Sequence, residues 1–198
     1  MFKRICKITF ISHGATVHSM AGIIGNGLKY PKLNDFGEEE LEKVCEYLEK
    51  RGVAYDSIYT CPNACCIQSA QIIAKLFKQK AVTIDLLPRN YGEWHGMLYN
   101  DIFKNEGTKT LAQTPKDGES IKDFNNRVSA EIDKLVAENA GNRIIVVATS
   151  EIIQSALAKT LGLSPENQYK ILIKTGSLTQ ISYFKDWSSV IYSDYCPL

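Results

Sequence analysis

The chain has 198 residues, a formal net charge of +1 and an ordinary fraction of hydrophobic residues. Its length suits one domain with a substantial core, and its balanced charge excludes a general electrostatic attraction to nucleic acid or to a membrane surface. No apolar run is as long as a membrane-spanning helix and the basic start lacks a signal-peptide pattern, so we expect a cytoplasmic protein whose six cysteines are reduced.

The first half of the chain is predicted to alternate strands with helices. A β-branched, nearly continuous apolar run over residues 5–11 predicts a strand that is buried on both faces. A glycine-bearing loop over 14–33 follows. A helix is then predicted over 33–51, a strand over 56–60, a helix over 64–79 and a strand over 81–87.

The second half continues this alternation after a proline- and glycine-bearing insertion over 88–118, in which Trp94 is expected to pack in a core. The predicted elements that follow are a helix over 120–140, a strand over 143–148, a helix over 150–161, and two strands over 177–184 and 188–192. Strands that alternate with helices indicate an α/β fold. We expect a three-layer sandwich, a mainly parallel central sheet with helices on both faces, in a single domain over 1–198.

His13 and Gly14 directly follow the first predicted strand, where α/β domains commonly place their chemistry. His18 and His95 are the only other histidines, and the three could share a metal only if the fold brought them together. We predict no metal and no cofactor.

Two other motifs fail as sites. The glycine-rich run over 22–29 lacks the pattern of a phosphate loop, because Leu28 separates its last glycine from Lys29. Cys61, Cys65 and Cys66 do not have the spacing of a zinc site. A thiol at a helix N-terminus can be reactive, but we predict that these three cysteines pack a helix.

Five short motifs occur in order along the chain: Ser-His-Gly-Ala-Thr at 12–16, Tyr-Thr-Cys-Pro at 59–62, Tyr-Gly-Glu-Trp-His-Gly at 91–96, Asp-Gly-Glu-Ser at 117–120 and Val-Val-Ala-Thr-Ser at 146–150. They are similar to Arg-His-Gly-Glu-Thr, Tyr-Ser-Ser-Pro, Phe-Gly-Glu-Trp-Glu-Gly, Gly-Gly-Glu-Ser and Val-Val-Ser-His-Gly of the histidine phosphatase superfamily, the phosphoglycerate-mutase-like proteins. The resemblance covers about 7–184, nearly the whole chain, and implies that family's fold.

The resemblance also implies the positions of a catalytic pocket. In the family, the first-motif histidine is phosphorylated, two arginines and a second histidine hold the phosphoryl group, and a carboxylic acid protonates the leaving oxygen. His13 stands at the nucleophile position, and Ser12 and Cys65 stand at the two arginine positions. Thr149 replaces the second histidine, and Pro88 replaces the acid. The implied pocket around His13 consists of Ser12, Gly14, Thr16, Cys65, Pro88, Thr149, Ser150 and Glu151.

These replacements predict a degenerate member of the family, a pseudoenzyme. A hydrogen bond to a charged group contributes about 1.5–3 kcal/mol, so loss of both arginines weakens phosphoryl binding by about 3–6 kcal/mol. Loss of the acid removes a further ~10²–10⁴-fold in rate. We therefore expect turnover of ordinary phosphomonoesters near background, and a pocket for a small molecule less anionic than a phosphomonoester. A homodimer or a protein partner is the other expected interaction.

Two alternatives remain open at this stage. In the first, the pocket is an enzyme of altered chemistry, in which His13 acts as a base or nucleophile with Ser12, Cys65, Thr149 or Glu151 as its partner and His95 nearby. In the second, weak phosphatase or mutase activity persists, because Lys29 or Arg89 supplies the missing positive charge.

Overall fold

The computed structural model describes residues 3–25, 30–104 and 111–197, without the side chain of Phe103. The strands are β1 (Arg4–Ser12), β2 (Ser57–Thr60), β3 (Ala81–Thr83), β4 (Arg143–Ala148), β5 (Leu178–Phe184) and β6 (Ser188–Tyr195). The helices are α1 (Val17–Ala21), α2 (Asp35–Arg51), α3 (Ala64–Leu76), α4 (Tyr99–Phe103), α5 (Ile121–Glu138), α6 (Ser150–Leu161) and α7 (Pro165–Gln168), with a 3₁₀ turn at Gly92–Trp94.

One six-stranded sheet has the order β3-β2-β4-β1-β5-β6. Strands β1 to β4 are parallel, so that Ile8 pairs with Ile144 and Ile58 with Ile145. Strand β5 runs antiparallel to β1, with Ile8 opposite Ile181, and β6 closes the C-terminal hairpin. The expected α/β sandwich with a mainly parallel central sheet is confirmed.

The apolar central strands explain why helices cover the sheet. Every residue from Ile144 to Ala148 is fully buried, which requires a layer on each face. Helices α2 and α3 pack against each other, and α3 contacts β2, β3 and β4. Helices α5 and α6 form a second packed pair, and both contact β1.

Several predicted element ends differ from the structure. The third strand was predicted over 81–87 but ends at Thr83, because its neighbour β2 ends at Thr60 and offers no backbone partner beyond the bond from Ile84 N–H to Thr60 O. The helix predicted to reach residue 79 ends at Leu76, since Lys78 adopts a positive φ of 53°. Helix α1, capped by the Thr16 hydroxyl, lies in the segment predicted as a loop.

The insertion over 88–118 forms a second, smaller hydrophobic cluster. Ile24, Tyr91 and Leu111 are its buried members, and Trp94 packs against them. Trp94 therefore takes part in packing, as expected. Within the described ranges, no helix is both long enough and apolar enough to cross a membrane.

Candidate functional site

A cavity of about 370 Å³ opens at the carboxyl ends of β1 and β4. His13 follows β1 and Thr149 follows β4, and adjacent parallel strands place both residues at the same edge of the sheet. Six of the nine predicted site residues line the cavity: Ser12, His13, Thr16, Thr149, Ser150 and Glu151. Gly14, Cys65 and Pro88 are buried and are not part of its wall.

Close backbone packing holds the loop that carries His13. A Cβ atom on Gly14 would lie 2.3 Å from the carbonyl oxygen of Gly37 in α2. The loop and α2 can therefore approach this closely only because neither glycine has a side chain. Gly14 N–H also donates to Ser69 Oγ of α3 at 3.2 Å. Glu40 accepts from Ala15 N–H and from the Thr175 hydroxyl, both at 2.8 Å, and so ties this loop to the segment that enters β5.

The imidazole of His13 is oriented by its own loop and by Cys65. Its Nδ1 lies 2.8 Å from Gly14 O, and because a carbonyl only accepts, Nδ1 carries a proton. Burial lowers the pKa of His13, but Cys65, the Gly14 carbonyl and Glu151 together raise it, and the net shift is upward. The ring edge also faces Tyr30, with centroids 6.4 Å apart.

Cys65 is an acidified thiol at the second position of α3. The hydrogen bond from the Cys66 thiol is the largest influence, burial opposes it, and His13 adds to it, so the pKa of Cys65 falls to about 5. Asn63 Nδ2 also donates to Cys65 Sγ at 3.3 Å. Burial raises the pKa of Cys66 well above its ordinary value, which leaves Cys66 as a neutral donor. The cysteines pack the helix as predicted, and Cys65 also pairs with His13, since each side chain shifts the pKa of the other toward its charged form.

Positive side chains are scarce around His13. Among the cavity-lining residues that the structure describes, Lys174 alone is a lysine or arginine, and its ammonium lies on the exposed rim, 3.8 Å from the Asp194 carboxylate. Lys29, one of the two cations considered above, lies outside the described residues.

Arg89, the other cation considered, is fully buried away from the cavity. All five of its N–H groups are occupied, by the carbonyl oxygens of Leu111, Gln113 and Glu119 and by the Tyr169 hydroxyl. In this structure the Arg89 guanidinium therefore ties the start of the insertion to its end and to Tyr169, and it has no N–H group free for a phosphoryl group.

Glu151 brings a carboxyl group to the region where the family has its acid. Its Oε1 accepts from the backbone N–H of Arg89 at 3.1 Å, one residue beyond Pro88, and its Oε2 accepts from the Tyr91 hydroxyl at 2.9 Å. Burial raises the pKa of Glu151, and the hydrogen bond from Tyr91 opposes that shift. The carboxyl group is supplied by α6 and not by the segment at 88.

Two polar atoms at the cavity have no partner. Thr149 is only 3 % exposed, and neither its Oγ1 nor His18 Nδ1 makes a hydrogen bond within the described part of the chain. His95 lies outside the cavity wall and bonds to Gly25 O and Asn90 Oδ1, so the three histidines do not converge. The described residues contain no cluster of three or more histidine, cysteine or acidic side chains that could hold a metal.

Several cavity residues were not identified from the sequence. Tyr30, Tyr99, Lys174 and Thr175 line the wall, but they come from segments without a recognisable motif. Lys174 and Thr175 lie near the cavity because they precede β5, which pairs with β1. The sequence does not reveal that pairing, so it does not point to these two residues.

Comparisons with known proteins agree with this architecture. The family model described as histidine phosphatase superfamily (branch 1) matches residues 8–192. A broad-specificity phosphatase of Saccharomyces cerevisiae is 27% identical over 188 residues, which cover 92% of this chain and 81% of that protein. Phosphoglycerate mutase-like protein 4 of Arabidopsis thaliana is 25% identical over 198 residues, covering 95% and 85%.

The fold is also similar to that of solved structures. A phosphoserine phosphatase from Entamoeba histolytica, crystallised with 3-phosphoglyceric acid, superposes with a TM-score of 0.84 at 18% identity and covers 96% of this chain and 98% of its own. At that identity the likeness shows a shared fold and nothing about the ligand.

Proposed function

We propose that this chain, which belongs to the histidine phosphatase superfamily, is a degenerate member that binds a small molecule and does not turn over ordinary phosphomonoesters. Other residues stand in its cavity where the family has the side chains that hold the phosphoryl group. One observation carries this proposal. The described wall next to His13 is formed by the neutral side chains of Ser12 and Thr149, where the family resemblance calls for an arginine and a histidine.

The charge pair between His13 and Cys65 supports the same conclusion. Phosphoryl transfer to a histidine requires a ring nitrogen with a free lone pair. Nδ1 is occupied by Gly14 O, and an acidified thiol beside the ring favours protonation of Nε2. An imidazolium donates hydrogen bonds but has no nucleophilic nitrogen.

Phosphatase assays test the proposal directly. We expect phenyl phosphate hydrolysis by the wild-type protein to equal that of His13→Ala, because two missing arginines alone weaken phosphoryl binding by roughly 10²–10⁴-fold. The yeast relative, named as a broad-specificity phosphatase, serves as the positive control. Steady phosphate release that disappears in His13→Ala would refute the proposal.

A second candidate, an enzyme of altered chemistry, is favoured by one observation, the buried Glu151 carboxyl group in the cavity wall. Burial raises the pKa of Glu151, and a raised pKa suits a carboxyl group to proton donation. A screen of uncharged nitrophenyl esters and glycosides tests it. Turnover that is lost in Glu151→Gln supports an enzyme, whereas the absence of turnover removes this candidate.

The free cysteines support the proposed cytoplasmic location. All six are unpaired thiols, including the partly exposed Cys45 and Cys196. Free thiols persist in a reducing compartment. Cell fractionation with a reporter fused to the chain tests this location, and we expect the reporter in the cytosolic fraction.

A further inference from the structure

The N-terminus of α6 lies at the cavity, because Thr149, Ser150 and Glu151 line its wall. Ile152 and Ile153 N–H both bond to Thr149 O, at 3.2 and 3.3 Å, whereas the N–H groups of Ser150 and Glu151 precede them and have no acceptor within the helix. The helix is 12 residues long, so its N-terminus carries a partial positive charge that favours an anion.

The side chain of Thr149 is the second, independent sign of a missing ligand. Thr149 is the N-cap of α6, yet its hydroxyl makes no capping bond, and Oγ1 has no partner in any described residue. A hydroxyl that is this deeply buried normally has a hydrogen-bond partner. Because Thr149 lines the cavity, a ligand atom in the cavity can supply that partner.

His13 adds a ring nitrogen to the same cavity. Its Nδ1 donates to Gly14 O, so a hydrogen bond to a ligand would come from Nε2, and the ring also interacts with Cys65. Cys65 and Cys66 on α3, Glu151 on α6 and the Tyr30 ring are the titratable groups around it. His13 and Cys65 carry opposite charges when both are ionised, so the partial positive charge of the α6 N-terminus favours a ligand of low negative charge.

A doubly charged phosphoryl group matches this cavity poorly. The Glu151 carboxyl group lies in the wall, and no arginine lines the described part of it. The wall also has four large apolar side chains, those of Met20, Ile23, Phe36 and Ile173. It includes two further basic side chains, His18 and Lys174, of which Lys174 pairs with Asp194. The ligand therefore has one anionic end and an apolar body, in a volume typical of small-molecule sites.

We propose that the cavity binds an organic carboxylate, whose oxygens accept hydrogen bonds from Thr149 Oγ1, from the first N–H groups of α6 and from His13. This inference rests on the proposed function, since it names the ligand class of the same pocket.

Three matched probes that share a phenyl ring test the inference: benzoate, benzamide and phenyl phosphate. The chain contains only three histidines, so histidine labelled with ¹⁵N gives few, assignable imidazole signals by NMR. We expect benzoate to shift the His13 signals and to bind at least tenfold more tightly than benzamide and phenyl phosphate. Acetate and acetamide provide the same comparison without the ring.

Thr149→Val keeps the side-chain shape, removes the hydroxyl and should weaken benzoate binding about tenfold or more. Thr83→Val makes the same change on an exposed residue of β3, outside the cavity wall, and should leave binding unchanged. The ¹⁵N–¹H spectrum of each variant verifies folding.

The outcomes separate the two proposals. Equal binding of carboxylates and amides, absence of binding by both carboxylates, or benzoate binding unaffected by Thr149→Val would overturn the carboxylate inference and leave the proposed function standing. His13-dependent hydrolysis of phenyl phosphate would overturn the proposed function itself.

Discussion

Replacement of Arg89 by methionine is expected to be among the most destabilising single changes in the chain. The guanidinium is fully buried and satisfies the carbonyl oxygens of Leu111, Gln113 and Glu119. Methionine fills similar space but donates no hydrogen bond, so the buried carbonyl of Leu111 and the partly exposed carbonyls of Gln113 and Glu119 lose this partner. The change removes the hydrogen bonds and the charge of Arg89 but keeps most of its packing.

The magnitude follows from those three acceptors. The buried Leu111 carbonyl left without a donor costs about 1–3 kcal/mol, and each partly exposed carbonyl, which water can reach, loses the net ~0.5–1.5 kcal/mol of a hydrogen bond. We therefore expect a total loss of about 3–5 kcal/mol in the free energy of unfolding. In a chain of this length, that loss lowers the melting temperature by roughly 6–20 °C.

Urea unfolding should be followed by far-ultraviolet circular dichroism and by tryptophan fluorescence. Trp94 packs on the insertion cluster and Trp187 stacks on Phe184 of the C-terminal hairpin, so local loosening of the insertion affects one tryptophan first. The exposed Arg51→Met serves as the control for loss of a surface charge. A loss below about 1 kcal/mol for Arg89→Met would refute the assignment of Arg89 as the fastening of the insertion.

Three further substitutions test the site. Gly37→Ala would place a Cβ 2.2 Å from Ala15 O, so we expect it to lower the free energy of unfolding by about 1–3 kcal/mol. Glycine-to-alanine changes inside helices usually raise that free energy, so an increase measured by urea unfolding would contradict the packing argument. Cys65→Ser removes the acidified thiol, so burial should dominate and lower the pKa of His13; an unchanged or higher pKa in a ¹⁵N-histidine NMR titration contradicts the charge pair. Thr149→Val removes an unpartnered hydroxyl and should raise stability without ligand by roughly 1 kcal/mol in thermal unfolding, whereas a clear loss would show that the hydroxyl already has a partner.

The parts of the site that follow the central strands could be predicted from the sequence. The apolar runs ending at Ser12 and Ala148 identify buried parallel strands, and the residues after such strands meet at one edge of the sheet. His13 and Thr149 line one cavity for this reason. The family resemblance then indicated which side chains are absent.

The contacts between segments could not be predicted in the same way. Nothing in the local pattern around Cys65 places its sulfur against His13, because that contact depends on how α3 seats on the sheet. Glu151 and Arg89 likewise meet only in the folded chain, through the bond from Arg89 N–H to the carboxyl group. Ile84, Leu86 and Leu87 misled the strand assignment, because apolar character alone does not distinguish a strand from an extended loop.

The position of β1 at the centre of the sheet has a consequence for biosynthesis. Ile8 pairs with Ile144 on one side and with Ile181 on the other, so both partners of the first strand are translated late. His13 leaves the ribosome early, but the cavity around it has no wall from β4 and α6 until most of the chain has emerged. Such long-range pairing is typical of slow folding. A nascent chain that ends before β4 thus carries the histidine without a binding site.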